Sequence, residues 1–296
     1  QQRANGILFV NSVQIPRSVD KNFCFVLKPF LSLRFSNSSE FLIMSSTVIA
    51  QPPPLYNTCF NFVTQHLKQY THIDCTVLKM PSLIKNSIID YVVKVQGGFD
   101  DDEQLALLLN PTLIQLNLTG STITDRLLLA VVEKCPNLKR LTLTKGNYRF
   151  SRKGLKALFG RLHHLEEISA KNCALIDDSL VAKLALNSPN LHLLDLEACV
   201  NVSNCSAEFL KHRRITNLNL SHTSISDKFF KVLADTPCGT SLIDLNVSYC
   251  NITSAGLEVL HWKSLKYLGI DGCDLDGEFN KHWWHFCGIS NFLCYF

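Results

Sequence analysis

The stretch LNLTGSTITD (Leu116–Asp125) decides how this chain is read, because LNLSHTSISD (Leu218–Asp227) repeats it 102 residues later. A frame L-x-x-L-x-L-x-x-[small] underlies both copies and recurs between and after them. It begins at Leu113, Leu138, Leu165, Leu191, Ile215, Leu242 and Leu265, at spacings of 25, 27, 26, 24, 27 and 23 residues. Self-similarity at a period of 20–50 residues marks an array of stacked supersecondary units.

Within each unit the L-x-L core alternates with period two, which predicts a short strand with one face inward. The motif that follows (Ile123-Thr124-Asp125, Ile176-Asp177-Asp178, Ile225-Ser226-Asp227) supplies helix N-cap residues. Helices are then predicted over 126–134 and 228–234, and Pro136 and Pro189 end helices before the next strand. A single unit buries too little apolar surface to offset the entropy of ordering it, so the units must stack.

The array resembles the cysteine-containing subclass of leucine-rich repeat proteins, whose ninth position takes Cys. Here Cys173, Cys199, Cys250 and Cys273 occupy it, and a buried thiol in a small space beside the turn backbone is the expected role. The expected fold is α/β: a leucine-rich repeat solenoid with a curved parallel sheet, helices on the convex side and an N-terminal helical cap. The expected segments are an extension over 1–51, a helical leader or cap over 52–110, the array over 111–276, and an irregular tail over 277–296.

The outward strand positions would line the concave face, where repeat proteins bind targets. They include Gln115, Asn117, Arg140, Thr142, Glu167 and Lys171 in the first three units. Asp195, Glu197, Asn217, Asn219, Asp244, Asn246, Tyr267 and Asp271 follow in the last four. The acids Asp195, Glu197, Asp244 and Asp271 suggest a patch suited to a basic segment of a protein partner.

Residues 52–96 fall outside the frame. Leu55, Cys59, Phe62 and Val63 lie at i, i+4, i+7 and i+8, one face of a helix, and a second helical pattern (Ile84, Ile88, Ile89, Val92) follows Pro81. The first run resembles the elongin C-binding box of SOCS-box and VHL-box proteins. Met80, Pro81, Ile84 and Ile88 resemble the cullin box that follows it in those families, and also the opening of an F-box. That resemblance implies adaptor binding through Leu55, Cys59, Phe62 and Val63 (elongin C, or a Skp-type adaptor for an F-box) and cullin binding through the second set. A plain cap over the first unit stands beside it.

From Leu55 to Cys273 the chain resembles the family of antagonist of mitotic exit network protein homologues, close to F-box/leucine-rich-repeat ubiquitin ligase receptors. The resemblance implies a non-catalytic substrate-recognition subunit of a cullin-RING ligase in ubiquitin-dependent degradation and cell-cycle control, in cytoplasm or nucleus. A stand-alone binder that sequesters a cell-cycle regulator is the other reading.

Composition narrows the classes. With 46% hydrophobic and 18% charged residues the chain is globular, and a net charge of +4 gives no reason to expect nucleic acid or an anionic membrane as partner. No apolar run reaches the ~18 residues of a spanning helix. The twelve cysteines, without a signal peptide, are expected as free thiols. Residues 1–43 read either as translated sequence upstream of a start at Met44 or as a flexible extension. No catalytic motif occurs, His163 and His164 are expected in solvent, and no cofactor or metal is expected. The tail His282, His285 and Cys287 lack a usual zinc spacing.

Overall fold

The computed structural model describes residues 7–10, 13–16, 80–144, 146–259 and 264–276. The chain divides into two compact units, Gln1–Met80 and Pro81–Phe296. In the first, β1 (Ile7–Val10) and β2 (Val13–Pro16) pair antiparallel, where no regular structure was expected. Their sequences, ILFV and VQIP, carry the aliphatic and aromatic residues that favour strands.

The second unit opens with α1 (Ser82–Tyr91), which runs into a π-helical turn over Val92–Gln96 and stops at Gly97, φ +84°. α2 (Asp102–Leu108) follows, capped by Asp101, whose carboxylate accepts the Glu103 N–H at 2.9 Å. Ile88, Ile89, Leu105 and Leu108 are fully buried. α1 packs on α2, and α2 on the first helix of the array. The helix layer therefore begins before the repeats do.

The array itself is a parallel sheet of seven strands, each one step along the predicted frame. They are β3 (Gln115–Asn117), β5 (Arg140–Thr142), β7 (Glu167–Ser169), β8 (Leu193–Asp195), β9 (Asn217–Asn219), β10 (Asp244–Asn246) and β11 (Tyr267–Gly269). A second, two-stranded parallel ladder joins β4 (Thr122–Thr124) to β6 (Asn147–Arg149). The register never slips: Leu116, Leu141, Ile168, Leu194, Leu218, Leu245 and Leu268 stand side by side. All seven are buried, because a one-residue slip would turn each aliphatic to solvent. This is the leucine-rich repeat solenoid expected from the frame.

The helices beneath are α3 (Asp125–Lys134), α4 (Arg152–Arg161), α5 (Asp178–Asn187), α6 (Ala207–Leu210), α7 (Asp227–Leu233), α8 (Pro237–Ser241) and α9 (Ser254–Glu258). A 3₁₀ turn, Asn204–Ser206, leads into α6. α8 is an extra turn between α7 and β10, set by Pro237 at its first position and by the Thr236 cap.

Thr124, Asp177 and Ser226 of the repeated motif take the N-cap positions expected of it, and the Asp that follows each has a further job. Thr124, not Asp125, caps α3 by accepting the Leu127 N–H. Asp125 is the first helical residue, and its Oδ1 accepts the Ser151 N–H of the next unit's cap at 2.8 Å. The same step recurs along the whole described array. Asp102 takes the Thr124 hydroxyl, and Asp178 takes the Ser203 N–H (2.8 Å) and hydroxyl (2.6 Å). Asn204 accepts the Ser226 N–H at 2.8 Å, and Asp227 accepts the Thr253 N–H at 2.8 Å and hydroxyl at 2.7 Å. The Ser254 hydroxyl accepts the Asp276 N–H at 3.0 Å. Where the cap is itself an acid, Asp177, the preceding first-turn residue is Arg152, and the contact becomes an ion pair.

The ninth-position thiols add a second cross-unit bond. Cys199 Sγ–H donates to Ala170 O at 3.1 Å, Cys250 to Leu220 O at 3.0 Å and Cys273 to Val247 O at 3.3 Å. Each carbonyl belongs to the preceding unit, so the cysteine satisfies backbone as well as filling space.

Two glycines of α4 test this account in opposite directions. Glycine costs about 1 kcal/mol relative to alanine inside a helix. A Cβ at Gly154 would stand 2.0 Å from Asp125 Oδ1 and displace the carboxylate from Ser151, a charge-assisted bond of about 1.5–3 kcal/mol. At Gly160 a Cβ would meet only the flexible Lys183 side chain. Gly154→Ala is therefore expected to lower stability in urea unfolding by about 1 kcal/mol, and Gly160→Ala to leave it unchanged or raise it. The reverse order would contradict the cross-unit bond.

Candidate binding surface

The side chains that flank each buried strand centre form rows across the open sheet face. One row runs Gln115, Arg140, Glu167, Leu193, Asn217, Asp244, Tyr267. The next holds Asn117, Thr142, Ser169, Asp195, Asn219 and Asn246, and a third, beyond the strand ends, holds Lys171, Glu197 and Asp271. All fourteen residues expected to face a target lie on this face, and each is half-buried or exposed.

Several have less freedom than the sequence suggested. Asn117, Asn219 and Asn246 each turn Oδ1 back to accept the N–H two residues on, at 2.9, 3.1 and 3.0 Å. Their amide donors are left for other work. Lys171 binds both Asp195 (3.1 Å) and Glu197 (2.8 Å). The Lys171 hydrogen bond holds the Glu197 carboxyl below its usual range, and the Asn219 amide reinforces it at 3.2 Å. Half of the expected acidic patch is thus already paired.

Asp244 is different. Among the described residues it accepts one long hydrogen bond, 3.5 Å from Asn217 Nδ2, and has no ion-pair partner. Burial pushes its carboxyl up, the Asn217 bond opposes this, and the Asp195 charge pushes it further up. Asp244, Asp195, Asn217, Asn219, Asn246 and Leu193 line a groove of about 240 Å³ across β8, β9 and β10. Two carboxylates and three amides line it, and Lys171 contacts Asp195 but not Asp244.

Sequence reasoning missed the feature at the groove's edge. The residue before the ninth position is left-handed in every described unit but the second, whose Lys145 lies outside the described residues. Gly120 and Gly272 suit that conformation; Asn172, Ala198, His222 and Tyr249 adopt it with φ between 56° and 59°. A side chain there costs about 1–2 kcal/mol. His222 and Tyr249 are nonetheless both exposed, Tyr249 by 58%, and their rings stack at 4.4 Å with planes 11° apart. The glycines at the same position in units one and seven were the signal that marked the row.

The leader residues divide. Leu55, Cys59, Phe62 and Val63 lie outside the described residues. Met80 is buried, Pro81 is exposed and Ile84 is half-buried. Ile88 is 0% exposed, so no partner reaches it while α1 is packed. His163 and His164 are exposed, as expected. Among the described residues no three His, Cys, Asp or Glu side chains converge as a metal site, and no helix is long and apolar enough to cross a membrane.

No family model and no curated protein matches the chain. Solved structures do. The mouse RP105/MD-1 complex matches at 21% identity over 62% of this chain and 30% of that one, with a TM-score of 0.40. The TLR13–ssRNA13 complex matches at 17% over 67% and 30%, TM-score 0.40, and a plant ice-binding protein at 17% over 58% and 52%, TM-score 0.32. The chain thus spans 30% of the length of the first two. The unbroken register of the seven strands, rather than these matches, assigns the fold.

Burial also sets the thiol chemistry. It pushes Cys199 and Cys238 up to about 12 and Cys135 to about 11, so none is a thiolate near neutrality. Cys205 is free and exposed. Treatment of the native chain with a thiol reagent at about pH 8 is expected to label Cys205 and spare the other three, read by peptide mass spectrometry. Labelling of Cys199 before unfolding would contradict the packing.

Proposed function

We propose that this protein is a non-catalytic binding module whose open sheet face holds a basic segment of another protein. One observation carries the reading: Asp244 and Asp195 share a groove with no cation to pair Asp244. Lys171 pairs Asp195, so the unanswered charge is that of Asp244, and a cation from outside would neutralise it. A Lys or Arg side chain entering the groove pairs Asp244 and lies beside Asp195, which Lys171 already holds.

Through the leader's resemblance to elongin C-binding and cullin boxes, we further propose that the module is the substrate-recognition subunit of a cullin-RING ubiquitin ligase. It would belong with the antagonist of mitotic exit network protein homologues in cell-cycle control, with elongin C or a Skp-type adaptor and a cullin as partners. Catalysis would come from the recruited conjugating enzyme by proximity. The burial of Ile88 favours the second reading, a stand-alone binder whose α1 caps the array.

Two experiments separate these claims. Asp244→Asn is expected to weaken binding of a hexalysine peptide about tenfold at low salt. The same change is expected to raise the melting temperature at about pH 7. The folded carboxyl titrates above its unfolded value, so its charge destabilises the fold once pH has risen through that value, and the gain vanishes near pH 3. Unchanged binding would remove the groove from the reading. Capture of elongin C and a cullin by the full chain, lost in Leu55→Asp/Cys59→Asp, is expected for a ligase receptor. Capture of neither leaves the stand-alone binder.

A further inference from the structure

We propose that the His222–Tyr249 stack recognises an arginine side chain, so that the segment bound on the open face is read for arginine and not for charge alone. The inference rests on the basic-segment reading and adds a specificity that the groove by itself lacks.

The stack has a direction. A Cβ on Gly272 would lie 2.6 Å from Tyr249 Cδ1 and 2.8 Å from Cε1, so the Tyr249 ring leans over the next unit, where glycine makes room for it. His222 leans the same way, onto Tyr249. Ala198 holds this position in the unit before, and its methyl reaches no further than Cβ. Parallel strands repeat at about 4.8 Å, close to the thickness of one stacked planar group. The place above Ala198, against the open face of His222, therefore continues the stack by one position.

Its surroundings select the occupant. Glu197 precedes Ala198, and its carboxylate lies within electrostatic reach of His222. Asp195 and Asp244 stand on the adjoining rows, and Asp271 follows on the far side of the stack. Lys171 of unit three pairs Asp195 and Glu197, and the outward positions of units four to seven hold no Lys or Arg for Asp244 and Asp271. A guanidinium is planar, stacks on aromatic faces and pairs with carboxylates through its edge. An ammonium has the charge but no plane.

The left-handed backbone gives a clean variant, because glycine suits the conformation at both positions. Hexaarginine, hexalysine and a neutral tryptophan-containing peptide would be titrated by fluorescence anisotropy against the full chain and against His222→Gly/Tyr249→Gly. The expected result is that wild type prefers hexaarginine over hexalysine by about tenfold. The double variant, folded and at least as heat-stable, is expected to bind the two equally at the wild-type hexalysine affinity. Equal binding by wild type, or a preference that survives in the variant, would overturn the arginine assignment while the basic-segment reading stands. Tighter binding of the tryptophan peptide would assign the stack to an aromatic side chain and overturn it likewise. Failure of both basic peptides to bind wild type would overturn the two readings together.

Discussion

Everything in this array depends on how each unit is tied to the next. A strand of three residues offers few backbone hydrogen bonds, and a helix of four to ten residues leaves its first N–H groups without partners. Both deficits are met across the unit boundary. The strand ladder joins the sheet face, and the first helical residue of one unit binds the cap residue of the following one from Asp102 through Thr253, with Ser254 reaching Asp276 beyond it. The exchange of Asp125–Ser151 for Arg152–Asp177 shows that the contact, and not the residue type, is the constraint.

That tie fixes the functional surface. With the register locked, side chains at matching positions are held one strand spacing apart and cannot drift to relieve repulsion or fill gaps. Lys171 meets Asp195 and Glu197 because the grid places them within reach. The same grid holds Asp244 beside Asp195 with no base to answer it. It also stacks His222 on Tyr249 at a spacing that suits aromatic rings, at the conformational cost of two left-handed residues. Strain and charge repulsion thus gather over units four to six, while Thr119 and Thr144 of units one and two pair with each other at 2.8 Å.

The strands, their register and the identity of the outward residues were legible in the sequence, because a seven-fold frame repeats one physical problem and the aliphatic at each strand centre has one solution. The helix starts were legible to within a residue or two. The role of Asp125, Asp178 and Asp227 was not, since a motif read alone shows its own helix and not the neighbour it binds. The partial neutralisation of the acidic patch was hidden for the same reason: Lys171 and Glu197 lie 26 residues apart in the chain. The His222–Tyr249 stack escaped because neither residue lies on a strand. Only the glycines at equivalent positions hinted at a left-handed row.

The central claim, that a basic segment sits in the groove across β8, β9 and β10, is tested most directly by methyl NMR of the full chain titrated with hexaarginine. Leu193 lines the groove, whereas Leu129 and Leu186 are exposed on α3 and α5 beneath the sheet. The account predicts that the Leu193 methyl signals shift in proportion to peptide bound while those of Leu129 and Leu186 stay in place. Shifts confined to the helix leucines, with Leu193 unmoved, would contradict it.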